Sequence, residues 1–373
     1  MSDTNLSTDS IASTERQLLP LTRASRFVRL GGIGVVLLSV AAAFLYLGGW
    51  FSPEALTPPR FADGFERVDG IHSGFRLNHA KGVCVSGSFE SNGRGTRLSK
   101  AVVFKAGRAP IIGRFSLAGG NPYVADAPGM VRGLGLLFHL PDGEEWRTAM
   151  INTPVFAVNS PQGFYDRLLA TQPDPETGKP DPKKMAVFLA NHPETVQATK
   201  IIQSHPASSG FENSTYYGLN SFWFMDASGR SIPVRWSLAP VQPFAPANTT
   251  GHARPDNNRL FDVLIAGILQ RPLLWHLIIT IGQASDPIND ATIPWPDARE
   301  QMDVGTLTLD HVESEETNRC RDINFDPLVL PEGMTPSDDP LLSARSAVYS
   351  QSFTRRSGEN KLPSAVTPSE VRK

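Results

Sequence analysis

Cysteine is nearly absent: Cys84 and Cys320 are the only two in 373 residues. Two thiols cannot build a disulfide framework, and their spacing fits no zinc motif. Two separate buried thiols are the expectation; pairing stays open if the domain is exported, because sequence does not show proximity. An excess of charge of either sign is missing too. Lys and Arg total 35 against 37 Asp and Glu, a formal net charge of −2. No overall field therefore points to nucleic acid or to an anionic surface. No internal repeat is visible.

Glycine and proline, by contrast, are plentiful at 31 each. That density means many turns, hence short strands and long connections rather than a helical bundle. Hydrophobic residues make up an ordinary 40%. The length suits one large domain or two ordinary ones.

Residues 1–22 are polar and rich in Ser and Thr, which reads as disorder. The run Leu30 to Trp50 then carries no charge. As a helix it would span roughly 31 Å at about 1.5 Å per residue, the thickness of a bilayer core. Arg23, Arg26 and Arg29 precede it, while only Glu54 and Arg60 follow closely. The positive-inside bias places 1–29 in the cytoplasm and everything after Trp50 outside. A cleaved signal peptide competes, since Ala41-Ala42-Ala43 suits a peptidase; the long leader and uniform apolar run favour an uncleaved single-pass anchor over 30–50. Three prolines in 51–60 read as a stalk. A globular domain follows over 61–357, and 358–373 reads as a loose polar tail.

Within the globular part, short apolar runs alternate with glycines. Gly82 to Phe89, Ala101 to Phe104, Pro110 to Ser116, Gly133 to Phe138 and Trp146 to Val158 read as strands. Gly163 to Leu169 opens a helix. Pro182 to Lys200 is helical and broken by Pro193. Tyr216 to Phe224, Ser231 to Leu238, Leu273 to Ile281 and Thr306 to Leu309 supply a second set of strands, with a helix over Arg259 to Gly267. The pattern implies an antiparallel sheet that curls on itself.

Four short motifs stand in order through this domain. They are Phe75-Arg76-Leu77-Asn78-His79-Ala80-Lys81-Gly82, Arg114-Phe115-Ser116, Asn152-Thr153-Pro154-Val155-Phe156 and Arg345-Ser346-Ala347-Val348-Tyr349. The last follows Phe325-Asp326-Pro327 and Leu330-Pro331-Glu332-Gly333-Met334. Alone, each motif would be an ordinary surface or core stretch. In this order and spacing they resemble the haem catalases, especially the short, membrane-anchored catalase-related peroxidases, from about residue 60 to about residue 357.

The resemblance implies an α+β domain: a closed eight-stranded antiparallel β-barrel with helical insertions, here preceded by one transmembrane helix. It implies haem b as cofactor. Tyr349 would be the axial iron ligand, the ligand type the catalases use. A phenol ionises near pH 10, and Arg345, one helical turn earlier, would favour the phenolate. His79 would be the distal acid–base group, oriented by Ser116, with Asn152 donating to the peroxide. Arg76, Arg114 and Arg356 match arginines that meet the haem propionates. Asp126 matches an acidic residue of the peroxide channel, and Tyr217 to Phe222 a signature strand, read as structural.

Two positions depart from the catalases. Asn78 stands where they carry valine before the distal histidine, and Ala157 where many carry an aromatic over the haem edge. Both imply a more open distal pocket. The expected activity is reduction of hydrogen peroxide or organic hydroperoxides by a small organic donor, with weak catalase activity. Allene oxide synthases of the family also carry a polar residue before the histidine, so lipid-hydroperoxide isomerisation is the alternative; a haem-binding protein without turnover is the third. The long N-terminal arm and C-terminal helical domain of large catalases have no counterpart, so a monomer or homodimer is expected instead of a tetramer. The partners implied are peroxide, the donor and, through 30–50, a lipid bilayer; the domain would be periplasmic.

Overall fold

The computed structural model describes residues 22–47, 56–174, 176–247, 257–317 and 319–368. It divides into two units, Met1–Thr57 and Pro58–Lys373. The described part of the first is one helix, α1 (Arg23–Leu47), with no buried residue and a mean hydropathy of 2.3. It is long and apolar enough to cross a bilayer, a property signal sequences share. Residues 48–50, the end of the expected span, lie outside the described residues.

The second unit begins with α2 (Pro58–Asp69). The expected stalk thus stops short. Pro58 and Pro59 occupy the first helical turn, where no N–H is needed, and they start a helix instead of extending a linker. Residues 51–55 lie outside the described residues.

The barrel strands are β1 (Gly82–Ser91), β2 (Gly107–Leu117), β3 (Arg132–His139), β4 (Glu145–Ile151), β5 (Tyr216–Tyr217), β7 (Ser231–Pro240), β8 (Leu273–Ile281) and β9 (Gln301–Glu313). They hydrogen-bond in the order β7-β5-β4-β3-β2-β1-β9-β8, and β7 pairs with β8 to close the ring. Eight antiparallel strands therefore form a closed barrel with no free edge. β6 (Phe222–Met225) and β10 (Met334–Pro336) extend the sheet beyond β7. The barrel is filled, not hollow. Trp146 stacks on Phe138 at 4.5 Å and meets Trp236 edge-on at 5.2 Å, and Phe115 lies 6.0 Å from Trp275. Where β1 shifts register against β9, a Cβ on Gly87 would sit 1.9 Å from the Thr308 carbonyl oxygen, so glycine is required there.

Helices cover the outside: α3 (Pro161–Ala170), α4 (Pro182–Asn191), α5 (Pro193–Ser204), α6 (Arg259–Gln270) and α7 (Pro340–Ser357). Pro193 separates α4 from α5, as expected. α2 lies on α7 through Arg355, which bonds Asp63 at 2.5 Å and Glu66 at 2.6 Å. Its Phe61 and Phe65 pack on Phe164 of α3.

Several expectations are corrected. Val102–Phe104 is a 3-10 turn. Its run lacks polar alternation, and Phe104 serves as a buried plug 5.2 Å from Phe224. β4 ends at Ile151, and residues 152–158 leave the sheet at the turn before Pro154. Tyr216 to Phe224 is two strands, broken where Leu219 takes φ +65°. The tail is seated as far as Val366, which is 1% exposed and part of the main core; Tyr123 Oη donates to the Pro363 carbonyl and Arg321 Nη1 to that of Leu362. Cys84 and Cys320 form a disulfide. Pairing of β1 with β9 sets Cys84 opposite Glu313, and the chain then turns back to bring Cys320 alongside; that proximity is tertiary.

Candidate active site

His79 sits in the loop before β1 with φ +57°. A left-handed non-glycine residue is uncommon, and such strain collects at functional sites. Three groups hold it. Its backbone N–H donates to Asn78 Oδ1 at 2.9 Å, and the same oxygen accepts from Gly119 N–H at 2.8 Å. Arg114 Nη1 donates to the His79 carbonyl at 2.7 Å and Nη2 to that of Ala80 at 2.9 Å. The ring Nδ1 lies 3.0 Å from Ser116 Oγ. A Cβ on Gly133 would come within 2.8 Å of both Nδ1 and that Oγ, so β3 leaves a bare backbone behind the imidazole. Burial first, then the charges of Arg114, Arg76 and Arg345, push the His79 pKa from 6.5 down to about 3. The ring is neutral under ordinary conditions and able to accept a proton.

Asn152 follows β4. Its Oδ1 accepts from Arg132 N–H at 2.8 Å, and its own N–H donates to the Arg132 carbonyl at 3.0 Å. Since a backbone N–H needs an acceptor, the side-chain oxygen is fixed there and the amide Nδ2 is left as a donor.

The opposite wall is α7. Arg345, Tyr349, Ser352 and Arg356 fall at spacings of four, three and four, one stripe of a helix. Asp339 caps the helix, accepting from Leu341 N–H at 2.9 Å. Its other oxygen accepts from Asn220 Nδ2 at 2.7 Å, while Asn220 Oδ1 accepts from Arg345 Nη1 at 2.5 Å. Arg345 Nη2 donates to the Ala149 carbonyl at 2.9 Å and reaches Tyr349 Oη at 3.5 Å. Burial pushes the Asp339 carboxyl up, and Asn220 and Arg345 pull it back. Arg345 thus contacts Tyr349 and also depresses His79, so both walls belong to one site.

At one edge lies a buried group of guanidinia. Arg76 Nη2 donates to the carbonyls of Cys320, Arg321 and Ile323. Arg356 Nε donates to the Arg321 carbonyl at 3.3 Å. Arg321, 3% exposed, lies 4.1 Å from the Phe75 ring centroid. Burial, then mutual repulsion, holds Arg76 well below its ordinary value and brings Arg356 to about 10. Arg76 Nε, Arg321 Nη2 and Arg356 Nη2 are buried with no acceptor among the described residues. Buried positive charge with idle donors calls for an anion. A porphyrin with two carboxylates fits these residues: the guanidinia could take its acid groups and the Tyr349 phenol could hold its iron.

Arg114 departs from the expectation. Its Nε is paired with Glu315 Oε1 at 2.5 Å and both side chains are buried, so its donors brace the His79 loop more than they offer charge to a ligand. Asp126 forms a buried ion pair with Lys81 at 2.6 Å and accepts from Leu260 N–H, which ties the start of β1 to α6. Asn78 turns its oxygen to the backbone, away from the imidazole. Ala157 is half-buried. Glu315, Arg321, Asn220, Asp339 and Gly133 were not anticipated. Asn220 lay within a signature read as structural, and Glu315 in an acidic run without pattern.

A closed barrel with a braced histidine opposite an arginine-backed tyrosine is the arrangement of a haem catalase, and the chain belongs to the catalase family: the family model "Catalase" matches residues 65–368. It is 36% identical over 324 residues to the catalase-related peroxidase of Synechococcus elongatus, covering 87% of this chain and 96% of that one. It is 29% identical over 307 residues to the catalase-related peroxidase of Mycolicibacterium paratuberculosis, covering 82% and 96%. Among solved structures, a fungal catalase aligns with a TM-score of 0.69 at 22% identity, over 76% of this chain and 60% of that one, a likeness of fold.

Proposed function

We propose that this catalase-family oxidoreductase acts on peroxide as a haem peroxidase, spending hydrogen peroxide or an organic hydroperoxide on a small organic donor, with weak oxygen release from peroxide alone. The observation that carries the reading is a neutral, oriented His79 facing the same site as an arginine-backed Tyr349. Bound haem b supplies the redox chemistry. Tyr349 would hold its iron, with Arg345 Nη2 3.5 Å from the phenol oxygen. Arg76, Arg356 and Arg321 would hold its propionates.

The chain's own part is proton handling. With Nδ1 protonated and donating to Ser116 Oγ, His79 Nε2 carries the lone pair. It takes a proton from one peroxide oxygen and returns it to the other, which leaves as water from hydrogen peroxide or as an alcohol from an organic hydroperoxide. Asn152 Nδ2 donates to the peroxide and holds it in place. Asn78 keeps the left-handed turn that aims the imidazole. Asn78 Oδ1 is committed to the N–H groups of His79 and Gly119, so in the isomerase reading it is the Asn78 Nδ2 donor that would meet a hydroperoxide.

α1 is proposed as a single-pass anchor with the catalytic unit on the extracytoplasmic side. The disulfide supports this, because such bonds persist in oxidising compartments. A monomer or homodimer is the proposed assembly.

Tyr349→Phe removes the proposed ligand oxygen. The expected outcome is lost or weakened haem binding with an altered visible spectrum, read beside parallel assays of oxygen release and donor oxidation. Wild type should oxidise aromatic donors clearly and release oxygen slowly. Unchanged haem content and spectrum in the variant would refute the ligand assignment.

A further inference from the structure

The Cys84–Cys320 link takes no part in the chemistry above, yet it stands directly behind it. Both residues are fully buried, with Cα atoms 5.7 Å apart. Cys84 lies in β1 directly opposite Arg114 of β2 and Glu313 of β9. Cys320 belongs to the 3-10 turn Arg319–Asp322, which follows β9. That turn is the backbone cradle of the cationic edge. The carbonyls of Cys320, Arg321 and Ile323 accept from Arg76 Nη2 at 3.1, 3.4 and 2.6 Å. The Arg321 carbonyl also takes Arg356 Nε, so two guanidinia share one oxygen. Arg321 itself reaches Gly74 and Leu362 through their carbonyls.

A turn of this length cannot hold itself. Short 3-10 pieces have poor hydrogen-bond geometry and no cooperative helix behind them. This one also gathers like charges, whose repulsion in a buried setting works to open it. The covalent bond to β1 ties it to the closed barrel wall. Because both cysteines are buried, the link is a fixed part of the site.

We propose that the Cys84–Cys320 disulfide is a positioning crosslink that holds the 319–323 turn against the barrel, so that its carbonyls aim Arg76 and Arg356 at the acid groups of the porphyrin. The inference rests on the haem reading and adds to it the source of selectivity for a doubly acidic porphyrin. The link touches no reacting atom; it acts through the two arginines.

The test compares binding of haem and of haem dimethyl ester, whose acid groups are masked, to the full chain freed of porphyrin. Wild type should prefer the free acid by at least about tenfold, the ordinary worth of one charged hydrogen bond. Cys84→Val with Cys320→Ala, apolar replacements for the cystine, should lose most of that preference while still binding the ester. Leu309→Ala, which weakens the barrel core with the link intact, should keep it. Should the double variant not fold, Cys320→Ser, which cuts the same bond, is measured instead. Full preference in the link-free chain, or an equal loss in Leu309→Ala, overturns the positioning role. Equal binding of both porphyrins by wild type overturns it while sparing the haem reading. Failure of wild type to bind either one removes the haem reading itself.

Discussion

His79 is held in a conformation it would not choose and in a charge state it would not otherwise keep. The left-handed backbone costs about 1–3 kcal/mol, offset by Asn78 Oδ1 and by the two carbonyl bonds from Arg114. The depressed pKa sets the pH behaviour. Above about 6.5 the imidazole is neutral in folded and unfolded chains alike. Between there and about 3 the unfolded chain binds a proton that the folded chain refuses, so this group lowers folding stability as pH falls through that window. Donor oxidation, measured as kcat/KM, should therefore show no histidine limb near 6.5 and fall only toward about 3. In the same window His79→Gln should lose less stability on acidification than wild type. A limb near the ordinary histidine value would show that burial and the three arginines do not act as argued.

At the scale of elements, α7 carries the ligand candidate and is tied to the barrel by a polar relay as well as by the bond from Arg345 to the Ala149 carbonyl. Asp339 caps the helix and holds Asn220, and Asn220 holds Arg345 beneath Tyr349. Leu219, with φ +65°, turns the chain between β5 and β6 so that Asn220 meets both partners. Among the described residues, the two non-glycine residues with left-handed backbone are thus His79, in one wall of the site, and Leu219, behind the other. Asn220→Ala leaves a buried carboxylate and a guanidinium without their shared partner. Unfolding free energy should fall by about 1–3 kcal/mol, and the spectrum of bound haem should change because Arg345 is no longer held at the tyrosine. Chemical denaturation and visible absorption read the two effects separately. A stability loss with an unchanged spectrum would make the relay purely structural.

At the scale of the whole molecule, the chain covers nearly all of two short peroxidase relatives and about 60% of the solved fungal catalase. The closed barrel removes every barrel edge, so the site-bearing loops and α7 are mounted on a scaffold with no open strand among its eight members. The anchor proposal makes a simple prediction. A reporter active only outside the cytoplasm, joined after residue 57 where the two units divide, should be active, and its cytoplasmic counterpart silent. The reverse would overturn the orientation drawn from Arg23, Arg26 and Arg29.

What the sequence by itself determined is what local chemistry dictates. Apolar runs between turn residues marked most of the strands, Pro193 split a helix, and an i, i+4 spacing put Arg345 beside Tyr349. The order of four motifs named the family and its barrel. What only the tertiary structure decided depends on groups distant in the chain. Cys84 met Cys320 because β1 pairs with β9. Arg114 turned to Glu315 because a buried guanidinium takes the nearest buried carboxylate. Asn78 gave its oxygen to the N–H of His79 and to that of Gly119, which the fold brings alongside from after β2. Arg321 entered the cationic edge through a turn whose place is fixed by a covalent bond to the barrel. Apart from the His79 N–H next to Asn78, none of these partners is within reach of a local pattern, because each contact joins segments far apart in the chain.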